Sequence, residues 1–283
     1  MKVKFWGTRG SIPVPGDQTT VYGGNTTCLE ITLGKGRTVI VDSGTGIRPL
    51  GRKLMEENNI SQLYLFITHI HWDHILGFPF FNPIYDSSSK IFVDGHPNCL
   101  KGLKYTFNNK MGDGFFPIEF KDLKAEITYM KTLSKKEPLT IDDTLIESIS
   151  LNHPQGCYGL RFTEDGKRMV FMTDNELEKN SQDKDREFDK CVEFCRNADV
   201  LIHDAQYTPE EIKKCRGWGH SDFRTTCELA KMANVRRLIL FHHDPPRIDT
   251  ELTAIEKSCR DIVGKSGSDM TIEAAREGNE FSL

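Results

Sequence analysis

Six consecutive residues, His69-Ile70-His71-Trp72-Asp73-His74, place three imidazoles and a carboxylate at the end of an apolar run, Gln62-Leu63-Tyr64-Leu65-Phe66-Ile67. The apolar run has the pattern of a strand covered on both faces. Packing does not account for the polar residues at its end. Each of these groups would cost several kcal/mol if buried without a partner, whereas a bound metal ion satisfies all of them together. On an extended turn His69 and His71 point to one side, leaving Asp73 and His74 to turn towards a second ion. The fold must then deliver further ligands to this strand end.

Three residues elsewhere qualify. His153 follows a strand ending Ser150-Leu151-Asn152, Asp174 follows Val170-Phe171-Met172-Thr173, and His242 follows Leu238-Ile239-Leu240-Phe241. Each caps an apolar strand, so all can converge on one rim, and a carboxylate such as Asp174 can bridge two cations. His243 competes with His242, which is preferred because it directly follows its strand.

The surrounding pattern is strand-rich in two halves. Strands are expected at Val3–Trp6, Cys28–Leu33, Thr38–Val41, Lys90–Asp94, Ala125–Met130, Thr144–Leu151, Cys157–Phe162 and Arg168–Met172. The last two form a hairpin through Thr163-Glu164-Asp165-Gly166-Lys167. A helix is expected over Ile47–Asn58, another over Pro97–Asn108, and a mobile loop over Lys110–Pro117. The final third alternates helices (Lys184–Asn197, Ser221–Ala233, Thr250–Val263) with strands (Asp199–Ile202, Arg236–Phe241, Met270–Ile272, Glu280–Leu283). Ser221 is expected to cap its helix. The whole suggests an α/β (α+β) four-layer αββα sandwich held as one domain over residues 1–283.

Composition narrows the setting. With 37% apolar and 28% charged residues the 283-residue chain reads as globular, and no apolar run is long enough to cross a bilayer. The start, Met1-Lys2-Val3-Lys4-Phe5-Trp6-Gly7, lacks a secretory apolar region, so the chain reads as cytoplasmic. The net charge of −4 offers no broad platform for long nucleic acid. The eight cysteines are scattered without a Cys-x-x-Cys pair and read as reduced, structural thiols.

With these residues in view the chain resembles the metallo-β-lactamase superfamily over nearly its whole length. The family's motifs fall on Asp42 in Val41-Asp42-Ser43-Gly44, on His69–His74, and on His153, Asp174 and His242. The resemblance implies one metal held by His69, His71, His153 and Asp174, and a second by Asp73, His74, Asp174 and His242. Asp42 would orient ligands by hydrogen bonds. It implies two divalent ions, zinc first, with manganese or iron also suited to such ligands. It also allows a homodimer.

Gly219-His220-Ser221 and His203-Asp204-Ala205 resemble the His-Ser-Thr and His-Glu-Ala motifs of ribonuclease Z-like phosphodiesterases. Here Phe223, not threonine, lies beyond Ser221, and aspartate replaces glutamate at 204. Carried over, Asp204 holds His220, which meets or protonates phosphate oxygens, so the candidate catalytic residues are Asp73, His220 and Asp204. Arg9, in Gly7-Thr8-Arg9-Gly10-Ser11, is a weaker candidate for anion contact, and Phe115-Phe116 for a stacking wall.

Ribonuclease Z proper carries a long tRNA-gripping arm between its third and fourth motifs, but the hairpin consumes the residues between His153 and Asp174. The cyclic-phosphate phosphodiesterases of the family carry an extra Cys/His zinc site near the N-terminus, where this chain has only Cys28. The expectation is therefore a small phosphodiester substrate, such as a cyclic nucleotide or ribose cyclic phosphate, cleaved by a hydroxide bridging the metals. The alternative is a thioester, lactone or β-lactam hydrolase, with tRNA 3′ processing behind it.

Overall fold

The computed structural model describes residues 1–98, 105, 114, 116–178, 182–265 and 267–283, with the backbone alone over 182–185. Two seven-stranded sheets face each other. The first runs β14-β1-β2-β3-β4-β5-β6, from Glu280–Ser282 (β14) through Lys2–Gly7 (β1), Cys28–Thr32 (β2), Thr38–Val41 (β3), Leu63–Ile67 (β4) and Lys90–Gly95 (β5) to Glu126–Tyr129 (β6). The second runs β13-β12-β11-β10-β9-β8-β7, from Thr271–Ala274 (β13) through Arg237–Phe241 (β12), Val200–Asp204 (β11), Lys167–Met172 (β10), Cys157–Glu164 (β9) and Thr144–Leu151 (β8) to Leu139–Ile141 (β7). Each sheet is antiparallel at one side and parallel at the other, with β3-β4-β5-β6 and β10-β11-β12-β13 the parallel sets.

In the inner parallel strands β4 and β12, period-two alternation sends side chains into two different cores. In β4, Phe66 joins the layer between the sheets, whereas Leu63, Leu65 and Ile67 pack outside it. In β12, Ile239 and Phe241 face the inter-sheet layer and Leu238 and Leu240 face outward. Helix α1 (Ile47–Glu56) covers the first sheet with Ile47, Leu50 and Leu54. On the second sheet, α3 (Gln182–Cys195), α4 (Phe223–Met232) and α5 (Asp249–Gly264) contribute Phe188, Val192, Leu229, Leu252 and Ile255. The result is the expected αββα sandwich.

Some local expectations are corrected. Helix α4 starts at Phe223 with Asp222 as its cap, accepting from the N–H groups of Arg224 and Thr225 at 2.9 and 3.1 Å. Ser221 is no cap, because its buried hydroxyl donates to the Asn175 carbonyl at 2.5 Å and accepts from Leu177 N–H at 3.0 Å. The turn after β4 is partly helical, Trp72–Ile75 forming α2. Strand β7 is too short to register as a sequence pattern. The expected helix over 97–108 and the loop over 110–117 lie mostly outside the described residues. Of the described cysteines, all are free, and all but Cys215 are buried. Among the described residues no helix is long and apolar enough to cross a membrane.

The end of β5 is tied to the chain before β7 by Asp94, a fully buried carboxylate. It accepts from the backbone N–H groups of Thr132, Leu133 and Ser134 at 2.9, 3.1 and 3.3 Å. Asp94→Ala leaves those donors without their acceptor, at about 1–3 kcal/mol each when unreplaced by water. We expect a loss of about 3 kcal/mol in urea unfolding, equal in size with and without a chelator. A drop that vanishes in chelator would place the effect at the metal centre.

Candidate metal centre

The candidate ligands sit where strands end. Asp42, His69, Asp174 and His242 lie at or within two residues of the C-terminal ends of β3, β4, β10 and β12, and His153 lies just beyond β8. Sheet edges of this kind open a crevice beyond the carboxyl ends of parallel strands. Asp42, Asp174 and His242 have φ of 62°, 50° and 56°, a left-handed conformation that turns the chain sharply off the strand. Aspartate and histidine tolerate it better than bulkier residues, and such strain gathers at functional sites.

The side chains converge as two groups that share Asp174. His69, His71 and His153 form one group, and Asp73, His74, Asp174 and His242 the other, their ligand atoms all within 4.8 Å inside each group. Asp174 Oδ1 faces the first group, 3.6 Å from His69 Nε2 and 3.8 Å from His153 Nε2. Its Oδ2 faces the second, 3.3 Å from both His74 Nε2 and His242 Nε2. Asp73 Oδ2 completes that group at 3.3 Å from His74 Nε2 and 3.1 Å from His242 Nε2. All of these are buried except His71, which is half-buried.

Each imidazole is held from outside by its other nitrogen. His74 Nδ1 meets Asp42 Oδ2 at 2.8 Å, and Thr68 donates its own N–H and hydroxyl to that carboxylate. His69 Nδ1 lies 3.2 Å from Thr68 Oγ1, and His153 Nδ1 lies 2.9 Å from the Gly219 carbonyl. His71 Nε2 meets Gln155 Oε1 at 3.2 Å, and His242 Nδ1 meets Gln206 Oε1 at 2.9 Å. Asp73 is fixed by Ser11 N–H at 2.7 Å. The inward nitrogens His69 Nε2 and His74 Nε2 are fully buried and have no hydrogen-bond partner. Orphaned imidazole nitrogens facing shared carboxylates are a donor set that suits divalent cations.

Charge follows the same division. Burial and the neighbouring His74 push His69 well below the usual histidine range. Burial pulls His74 down too, but Asp73, Asp174 and Asp42 overcome it and hold it well above that range. Burial would raise Asp73 and Asp174, yet the surrounding histidines keep both well below the usual carboxylate range.

The second expected pair stands beside this cluster. His220 Nδ1 is 2.6 Å from Asp204 Oδ2, and Asp204 Oδ1 accepts from the N–H groups of Gln206 and Ser221. Burial lowers His220, but the Asp204 charge and hydrogen bond raise it to about 9. Its ring stacks on His242 at 4.9 Å and lies 5.3 Å from His153. His220, His71, Asp73, Asp174, Ser11, Trp72 and Gln155 line a cleft of about 460 Å³. Two glycines permit this crowding. A Cβ at Gly219 (φ +87°) would lie 2.1 Å from the His153 ring, and one at Gly10 would lie 2.3 Å from the His242 ring.

Other candidates go elsewhere. His243 Nε2 meets the Ala275 carbonyl at 2.8 Å, and burial pushes it down to about 3, so His242 is the residue facing the cluster. Arg9 is fully buried and binds the carbonyls of Gly23, Asp244 and Arg247, anchoring two loops and reaching no cleft. Phe116 packs on Phe80 at 5.5 Å away from the cleft, while Phe115 lies outside the described residues. Sequence reasoning missed Gln206, Gln155 and Ser11, because a neutral amide or a backbone N–H in a loop carries no motif.

Comparison with known proteins agrees with this architecture. Residues 37–243 match the Beta-lactamase superfamily domain. The chain is 25% identical to the ribonuclease Z of Thermoplasma acidophilum, the match covering 89% of each chain. Among solved structures it resembles the metallo-beta-lactamase fold protein YhfI from Bacillus subtilis (TM-score 0.73, 18% identity, 99% of this chain and 98% of that one). It also resembles the short form of human tRNase Z (TM-score 0.65, 18% identity, 100% and 99%). The chain therefore belongs to the β-lactamase superfamily, as a metal-dependent hydrolase of the metallo-β-lactamase fold in its ribonuclease Z-like branch.

Proposed function

We propose that this protein is a two-metal phosphodiesterase acting on a small diester, a cyclic nucleotide or ribose cyclic phosphate. The observation that carries the reading is the Asp204–His220 pair beside the shared carboxylate, with His220 Nδ1 held at 2.6 Å by Asp204, 3.9 Å from Asp174 Oδ1, and His220 lining the cleft. In this reading His69, His71, His153 and Asp174 hold one ion and Asp73, His74, Asp174 and His242 the other. Zinc is the ion proposed, the histidine-rich set suiting manganese or iron as well. Such ions supply Lewis acidity and water of lowered pKa.

The chain's own residues do the rest. Asp204 fixes the His220 ring and its tautomer, so that Nε2 delivers a proton to the leaving oxygen while Nδ1 keeps its hydrogen bond. Ser11 N–H and Gln155 hold Asp73 and His71 in place. The relative's name, ribonuclease Z, supports a phosphodiester over a thioester or lactone, whose cleavage has no evident use for the Asp204–His220 pair. The hairpin of β9 and β10 fills the chain between His153 and Asp174, which supports a small substrate over a tRNA body.

Two measurements test this reading. Elemental analysis should find about two ions per chain, and Asp174→Ala, which strips both groups of their shared ligand, should lose both ions along with hydrolysis; active protein with a single ion would refute the two-metal reading. On a cyclic nucleotide, His220→Ala should keep its ions and fold but lose about 10²–10⁴-fold in kcat. Asp204→Ala should lose less, and the double variant little more than His220→Ala. Full activity of His220→Ala on that poor leaving group would remove the assigned role and favour carbonyl hydrolysis.

A further inference from the structure

Gln206 lies on the chain leaving β11 and is 4% exposed. Its side-chain amide bridges two groups. Oε1 is 2.9 Å from His242 Nδ1, while Nε2 is 3.2 Å from Asp244 Oδ1 and 3.3 Å from Tyr207 Oη. The Asp244 carboxylate offers only lone pairs, so it takes the amide NH₂ and obliges Oε1 to face His242. His242 Nδ1 therefore carries the hydrogen, and His242 presents Nε2 to Asp73 Oδ2 and Asp174 Oδ2 at 3.1 and 3.3 Å. The backbone N–H of the same residue donates to Asp204 Oδ1 at 3.1 Å, so one residue touches both the metal-ligand cluster and the partner of His220.

We propose that Gln206 is a positioning residue for the second ion, fixing the tautomer and the ring orientation of His242 through an amide bridge to Asp244. The inference rests on the two-ion reading above and adds to it an asymmetry between the ions. His74 is oriented by a charged group, Asp42, whereas His242 is oriented by a neutral one. The choice of glutamine reflects its neighbours. Glutamate has the same length but sets a second carboxylate against Asp244, and leucine fills the space with no acceptor. Unlike either, the glutamine amide accepts from the imidazole and donates to the carboxylate at once.

The test is Zn²⁺ binding in competition with a chromophoric chelator, made on the whole protein. The variants are Gln206→Leu, Gln206→Glu, and Gln206→Glu combined with Asp244→Asn, each checked for fold by circular dichroism. Loss of an outer partner of a histidine ligand costs about 10–100-fold in metal affinity. Gln206→Leu and Gln206→Glu should each weaken one of the two Zn²⁺ ions by that factor and leave the other unchanged. The double variant should recover most of the loss, since a carboxylate at 206 then accepts from both His242 and an amide at 244. If Gln206→Leu does not fold, the comparison of Gln206→Glu with the double variant decides alone. Parental affinity for both ions in Gln206→Leu, parental affinity in Gln206→Glu, or no recovery in the double variant overturns the assignment. Parent protein that binds fewer than two ions overturns the two-ion reading and this inference with it. Two ions in the parent with no change in the variants overturns the role of Gln206 alone.

Discussion

The arrangement depends on one buried carboxylate. Asp174 is 1% exposed and divides its oxygens between two clusters of imidazoles. A carboxylate taken this far from water requires compensating positive charge. The neighbouring histidines give part of it, and the geometry leaves room for cations to give the rest. Strands from both sheets bring groups to this carboxylate. Asp42 and His69 arrive from the first sheet, and Asp174, His153 and His242 from the second, so the centre spans the seam of the sandwich.

The sandwich in turn explains how the site stays in place. Parallel strands buried on both faces leave little freedom for side chains at their ends, and the three left-handed residues at those ends turn the chain off each strand. Around the candidate ligands lies a layer of hydrogen-bond partners of mixed chemistry: a carboxylate on His74, a hydroxyl on His69, a carbonyl on His153, and amides on His71 and His242. Close contact of Gly10 and Gly219 with ligand rings lets the loops pack against this layer without a Cβ in the way. Arg9 belongs to the same scaffolding, its Nε and Nη1 donating to loop carbonyls.

Much of this can be read from the chain in advance, for reasons that differ by residue. The strands β4, β10 and β12 end in uninterrupted apolar runs, so their existence and their polar caps are visible together. The His69–His74 run is dense enough to stand apart from any packing pattern. Where the signal is short or polar, it fails. Ser221 and Asp222 are both plausible caps by residue type, and the choice falls to Asp222 because the Ser221 hydroxyl is used across the fold by Asn175 and Leu177. Strand β11 runs on through His203 and Asp204, polar residues that end a hydrophobic pattern but not the pairing with Leu240 and Phe241.

The sequence by itself determined the layered architecture and marked the candidate inner groups, because apolar periodicity and clustered imidazoles are local properties. Only the tertiary structure decided which oxygen of Asp174 serves which cluster, and that His242 rather than His243 faces it. It also decided that Gln206, Gln155, Thr68 and the Gly219 carbonyl orient the rings. These partners lie as far as 84 residues from the ligands they hold. A single neutral hydrogen bond leaves no periodicity, composition or charge in the chain, so its partner is chosen only when packing brings the two together.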